Sequence, residues 1–171
     1  MLRALRLHPD SRRNAAARIE VGAIRPEPDL LFLRYSLKGN IASIALPAQE
    51  PSERRGELWR HSCFEAFIKL GSGYGELNFS PSTCWAAYSF EGYRAGMQNW
   101  EVAKPEIAIR QTAEEFVLEA GLRLPGITGP FVMGLSAVVE DKDGAMSYWA
   151  LQHPAGKPDF HHAETFSLEL S

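Results

Sequence analysis

A chain of 171 residues with 45% hydrophobic and 23% charged residues has enough apolar content to bury a full core, and a single domain over residues 1–171 is expected. Its net charge of −3 comes with scattered basic residues, which excludes the electrostatic footprint of a nucleic-acid or anionic-membrane binder. No stretch approaches the roughly 20 apolar residues that cross a bilayer, and an N-terminus with arginines among its leucines lacks a secretory pattern, so a cytoplasmic location is expected.

In chain order, Met1 to His8 alternates imperfectly before Pro9 and is expected to be a first strand. Asn14 to Arg18 is a short polar link. Ile19, Val21 and Ala23 alternate with Glu20 and Gly22, and this second strand should end before Pro26 and Pro28, which lack backbone donors. Leu30 to Leu37 and Ile41 to Leu46, joined by Lys38-Gly39-Asn40, are expected to pair as a hairpin. Pro47 to Glu57 is polar and aperiodic, the pattern of a mobile surface loop.

Leu58 to Met97 is the most informative stretch. Cys63 to Lys69 puts Phe64, Ala66 and Ile68 on one face of a strand and Cys63, Glu65, Phe67 and Lys69 on the other. In the strand after the Gly71-Ser72-Gly73 break, Leu77 and Phe79 share a face opposite Tyr74, Glu76, Asn78 and Ser80. If the two pair with their apolar faces matched, Glu65, Glu76 and Asn78 project from one side of the sheet. Trp85 to Phe90 then offers that side either Trp85, Ala87 and Ser89 or Ala86, Tyr88 and Phe90.

Further on, Glu106 to Gln111 and Glu115 to Leu124 are strands, the second with one wet face, and Phe131 to Val139 is a nearly continuous apolar strand. Asp141-Lys142-Asp143-Gly144 turns into Ala145 to Gln152, where Trp149 is a candidate extra ring for the polar face. His153 to His162 is a loop, and Glu164 to Leu170 a closing strand. About ten short strands without an amphipathic helix indicate an all-β chain, an antiparallel β-sandwich or jelly roll. Carboxylates and an amide beside flat aromatic rings suit a sugar, since polar groups orient hydroxyls while a ring stacks on the apolar face of a pyranose.

The segments LWRHSCFEAFI, YGELNFSPS, WAAYSFEGYR with Gly96-Met97, SYWALQHP and PDFHH together resemble bacterial DOMON-like proteins related to family-9 carbohydrate-binding modules, over Leu58 to His162. The resemblance implies an immunoglobulin-like or jelly-roll sandwich whose relatives bind sugars or haem. For a sugar it points to Trp59, Glu65, Glu76, Asn78, Trp85 and Trp149 as residues of the matching types, with Tyr88 and Arg94 beside them. For haem, relatives use Met and His as axial ligands, and the types present are Met97, Met146, His61, His153, His161 and His162. The leading expectation is a non-catalytic binder of a small sugar-like ligand without a cofactor. Haem or metal binding and a protein-interaction role are the alternatives.

Other candidates have plainer readings. His153, Asp159 and His161 lie in one loop and suit zinc or iron by type, but bonding to nearby backbone is the expected role. Glu140 to Gly144 is expected to be a tight turn without calcium. Arg94 can clamp an anion or brace its loop by bonding carbonyls, and bracing is preferred. Cys63 and Cys84 are expected to be buried thiols. No nucleophile or phosphate-loop motif is present.

Overall fold

The computed structural model describes residues 2–12 and 15–171. Met1 and Asn14, at the edges of the expected first strand and polar link, lie outside them. Among the described residues there is no α-helix. The strands are β1 Arg3–Ala4, β2 Arg6–Leu7, β3 Ala16–Glu27, β4 Leu30–Gly39, β5 Cys63–Leu70, β6 Gly73–Phe79, β7 Trp85–Phe90, β8 Gln98–Asn99, β9 Glu106–Gln111, β10 Glu115–Arg123, β11 Phe131–Glu140, β12 Met146–Ala150 and β13 Leu168–Leu170. They form two antiparallel sheets. The smaller runs β1-β3-β4-β10-β9 and the larger β2-β12-β11-β5-β6-β7-β8, with β13 beside β11.

This is an all-β, sandwich-like arrangement, and strand alternation explains its core. Leu31, Leu33, Tyr35 and Leu37 of β4 and Phe116, Leu118, Ala120 and Leu122 of β10 face Phe64, Ala66 and Ile68 of β5, Leu77 and Phe79 of β6, and Met133, Leu135 and Ala137 of β11. Phe64 stacks on Phe116 at 5.7 Å between ring centres and leans on Tyr35 at 5.1 Å. Tyr35, wholly buried, donates its hydroxyl hydrogen to the Glu65 carbonyl at 2.6 Å. That bond ties the smaller sheet to the strand that carries Glu65.

Four local expectations are corrected. The first strand is divided: Arg3–Ala4 pairs with β3 in one sheet, Arg6–Leu7 with β12 in the other, and buried Leu5 bonds Ile19 between them. The second strand does not stop before Pro26 but continues to Glu27, absorbing Pro26 in a register shift between Ile24 and Glu27 and leaving Pro28 in the turn that follows. Ile41 to Leu46 is not the partner of β4. Residues Ile41–Ser43 make a 3-10 turn, which brings Ile41 and Ile44 into the core together, as a two-residue period would not. The closing strand is shortened to Leu168–Leu170 after a 3-10 turn at Ala163–Thr165.

Pro47 to Glu57 is strapped along the edge of the larger sheet. The Arg54 guanidinium donates to the Ala87 and Trp100 carbonyls, both at 3.0 Å, and lies 4.5 Å over the Trp85 ring. Trp100 packs where Gly75 leaves room: a Cβ there would meet its ring at 2.3 Å. No helix among the described residues is long and apolar enough to cross a membrane.

Candidate functional site

The outer face of the larger sheet, turned away from the core, is built from the alternate residues of the same strands. Glu65 stands directly across from Asn78 on β6 and from Ser136 on β11, and Glu76 stands across from Phe67 and Tyr88. The two glutamates are therefore diagonal neighbours on adjacent strands. A second apolar cluster of Phe67, Tyr74, Phe90, Val138, Ala150 and Phe160 covers part of this face. Between the cluster and the loops is an open cavity of about 600 Å³.

Strands supply the cavity's floor: Glu65, Glu76, Tyr88, Phe90, Val138, Met146 and Tyr148. Three irregular segments form its rim: Trp59 and Arg60 from a 3-10 turn at Leu58–Arg60, Arg94 and Met97 from the loop after β7, and Pro158, Phe160 and His161 from the loop after β12. Trp59 and Met97 are about half exposed, so the mouth offers apolar surface beside the Arg60 and Arg94 guanidiniums. Arg94 has a left-handed backbone, with φ of 51°, a conformation uncommon outside glycine and a mark of local strain. Its N–H donates to the Tyr74 hydroxyl at 3.2 Å.

Glu65 is 3% exposed and Glu76 is 5% exposed. Burial is the main cause that pushes both carboxyls up, Glu76 to about 6. For Glu65 the neighbouring Glu76 adds to the rise, with Ser136 opposing it. For Glu76 the opposing influences are a 2.9 Å bond from Asn78 Nδ2 and the charge of Arg94. Asn78 is wholly buried and its Oδ1 has no hydrogen-bond partner.

His161 lines both this cavity and a neighbouring hollow of about 510 Å³, on whose side Tyr74 backs it. The Tyr74 oxygen accepts from the Arg94 N–H and bonds His161 Nδ1 at 2.7 Å. With the Tyr74 hydrogen on that bond, the neutral ring carries its proton on Nε2, which lies 3.9 Å from Glu76 Oε2. Burial chiefly, with help from Arg94, holds His161 down to about 4.

Of the residues singled out from the sequence, Trp59, Glu65, Glu76, Tyr88 and Arg94 line one cavity, with Asn78 behind it. Trp85 and Trp149 do not join them. Trp85, opposite Phe79 in register, and Trp149, opposite Ala137, both point into the core between the sheets; the Trp149 indole donates to Ser147 Oγ. Tyr88 and Phe90 are the half of β7 that faces outward. Arg94 braces its loop through the Asp159 carboxylate at 2.9 Å, in place of the expected carbonyls. Arg60, Val138, Tyr148, Pro158 and Phe160 escaped sequence reasoning, while Phe90 stood in one of the two expected phases of β7 and Met97 and Met146 were expected only as haem ligands. Met146 and Tyr148 had a signal: they alternate with Trp149, so assigning Trp149 inward turns them outward.

His153, Asp159 and His161 do not converge. His153 bonds the Arg6 carbonyl and packs edge-on against His8, Asp159 receives Arg94, and His161 receives Tyr74. Among the described residues no three His, Cys, Asp or Glu side chains are grouped to hold a metal. Met97, Met146 and His161 line the cavity, but the fit to haem is poor. The His161 Nε2 faces the Glu76 carboxyl at 3.9 Å while its Nδ1 is taken by Tyr74, and two buried carboxyls on the floor oppose an apolar macrocycle. Cys63 and Cys84 are buried free thiols.

Fold and site together define an all-β protein of two antiparallel sheets with an acidic, aromatic cavity on the outer face of the larger one. No family model matches the chain, and no curated protein does either.

Proposed function

We propose that this chain is a non-catalytic binding protein that takes a small carbohydrate or sugar derivative in the cavity over Glu65 and Glu76. The observation that carries the reading is the pairing of two nearly inaccessible carboxyls with a wall and mouth of aromatic rings, Trp59, Tyr88 and Tyr148, in one open cavity. Burying a carboxyl costs free energy that an apolar side chain would avoid, so folding alone gives no reason for Glu65 and Glu76. A sugar gives one, because its hydroxyls donate to the carboxyls while its apolar face rests on a ring.

The non-catalytic part of the reading is supported by geometry. Both carboxyls rise from adjacent strands on one side of the ligand space, whereas glycoside hydrolysis uses a pair that flanks the scissile bond. The resemblance of the segments between Leu58 and His162 to DOMON-like proteins supports the same ligand class and the finer description of the sandwich as jelly-roll or immunoglobulin-like. Two unpaired buried thiols fit the reducing compartment in which we place the protein.

Calorimetric titration with mono- and oligosaccharides tests the proposal. Binding by the folded chain, weakened in Trp59→Ala and Tyr88→Ala, is the expected result. No heat at millimolar sugar, with circular dichroism reporting an intact β fold, removes the sugar assignment.

A further inference from the structure

The charges around the cavity do not balance internally, and the imbalance has a sign. Arg60 and Arg94 sit on the rim, about half exposed, and each is already paired, with Glu57 at 2.8 Å and Asp159 at 2.9 Å. His161 is neutral at physiological pH. Among the described residues no Lys or Arg pairs with Glu65 or Glu76. The His161 ring lies 3.9 Å from Glu76, and the Arg94 charge acts on Glu76 without pairing with it.

The hydrogen-bonding groups are one-sided too. Asn78, directly across from Glu65, commits its amide hydrogen to Glu76 Oε1 and leaves Oδ1 buried and unpartnered. The Glu65 and Glu76 carboxyls thus face the cavity with acceptor oxygens, and Asn78 behind them leaves a further acceptor unfilled on the same side of the sheet. A neutral sugar hydroxyl answers such a group with one hydrogen. A protonated amine answers it with three and supplies the missing charge. Flat rings around it, Trp59, Tyr88 and Tyr148, add the attraction of an aromatic face for a desolvated cation.

We propose that the ligand of this cavity carries an ammonium group, seated against Glu65 and Glu76 and enclosed by the aromatic rings, so that an amino sugar is taken in preference to a neutral one. The inference rests on the reading of the cavity as a sugar site and narrows its ligand. Burial raises the Glu65 and Glu76 carboxyls, and a cation seated beside them should lower both, so that binding releases protons into the buffer.

The test is calorimetry of the whole chain near pH 6.5 with four probes: glucosamine, N-acetylglucosamine, glucose and cadaverine. Glucosamine should bind at least about tenfold more tightly than the two neutral sugars, with an apparent heat that changes between buffers of different ionisation enthalpy. The double variant E65Q/E76Q, isosteric and uncharged, should lose that preference while keeping its circular dichroism spectrum. Equal affinity for the three sugars overturns the ammonium inference and leaves the sugar reading standing. Cadaverine binding without any sugar binding supports the ammonium seat and removes the sugar reading. No binding of any of the four overturns both.

Discussion

The two faces of the larger sheet come from the same strands, yet they are built by different rules. On the inner face Phe64, Ala66, Ile68, Leu77 and Phe79 are almost wholly buried and apolar, and every contact there lowers the free energy of the fold. On the outer face Glu65, Glu76 and Asn78 are just as inaccessible, yet two carboxyls are desolvated and one amide oxygen has no partner. A one-residue step along β5, from Phe64 to Glu65, crosses from a position that stabilises to one that costs. Groups that oppose folding and still share one cavity are where function is to be sought.

The largest effect that sharpens this comparison belongs to the inner face. Phe64→Ala removes the ring between Tyr35 and Phe116 and should lower stability by about 3–5 kcal/mol, read from the midpoint of urea unfolding. A loss below about 1 kcal/mol would mean that the core is not closed over β5 and that the two faces differ less than their burial implies.

Second in size is the pH response of the outer face, where the sign is opposite. A carboxyl raised from 4.5 to about 6 holds its proton more tightly folded than unfolded. Its folding free energy is therefore most favourable below about pH 4.5, becomes less so as the pH rises to about 6 and stays lower above that. Glu65 acts in the same direction. His161 acts in the other: lowered from 6.5 to about 4, it contributes stability that is present above about pH 6.5 and is lost as the pH falls through about 4. The wild-type profile should therefore be flatter than either part.

E65Q/E76Q separates the two parts. Relative to wild type, its stability should improve by on the order of 2 kcal/mol as the pH rises from about 4.5 to about 7, measured by urea unfolding at each pH. A difference that does not change with pH would show that water reaches both carboxyls in the folded chain, and the cavity floor would then be no different from an ordinary wet sheet face.

Much of this division is legible in the sequence, because a two-residue period carries it. The alternation in CFEAFIKL and YGELNF separates Phe64 from Glu65 and Leu77 from Glu76 without any structure. What pairs with what is less legible. A period of two leaves the phase of β7 open, and Trp85 was as admissible as Tyr88 on the outer face until Phe79 was found opposite it in register. Trp149 misled for a related reason: an indole suits a sugar site and a core equally well, and only its neighbours Ala137 and Leu7 decide. The rim was the least legible part. Phe160 and His161 reach the cavity through a loop with no period at all, and the strapping of Pro47 to Glu57 depends on Arg54 meeting carbonyls 33 and 46 residues away.

The smallest expected effect tests how the outer face holds its one imidazole. Tyr74→Phe removes a hydroxyl that accepts from the Arg94 N–H and donates to His161 Nδ1. The ring itself stacks on Phe90 at 4.7 Å between centres and stays in place, so stability should fall by only about 1 kcal/mol. The informative readout is elsewhere. In wild type the Tyr74 hydrogen holds Nδ1 as an acceptor, and the imidazole nitrogen shifts should report a single tautomer with the proton on Nε2, facing Glu76. In the variant that constraint is gone, and a mixture of tautomers should appear. Ligand affinity should weaken slightly along with it, because the variant also removes one of the bonds that hold the Arg94 loop at the rim, the other being that to Asp159. A single unchanged tautomer would show that Glu76, and not Tyr74, orients the ring. The wall between the two hollows would then be set from the acidic floor upward, with the loop as a passive cover.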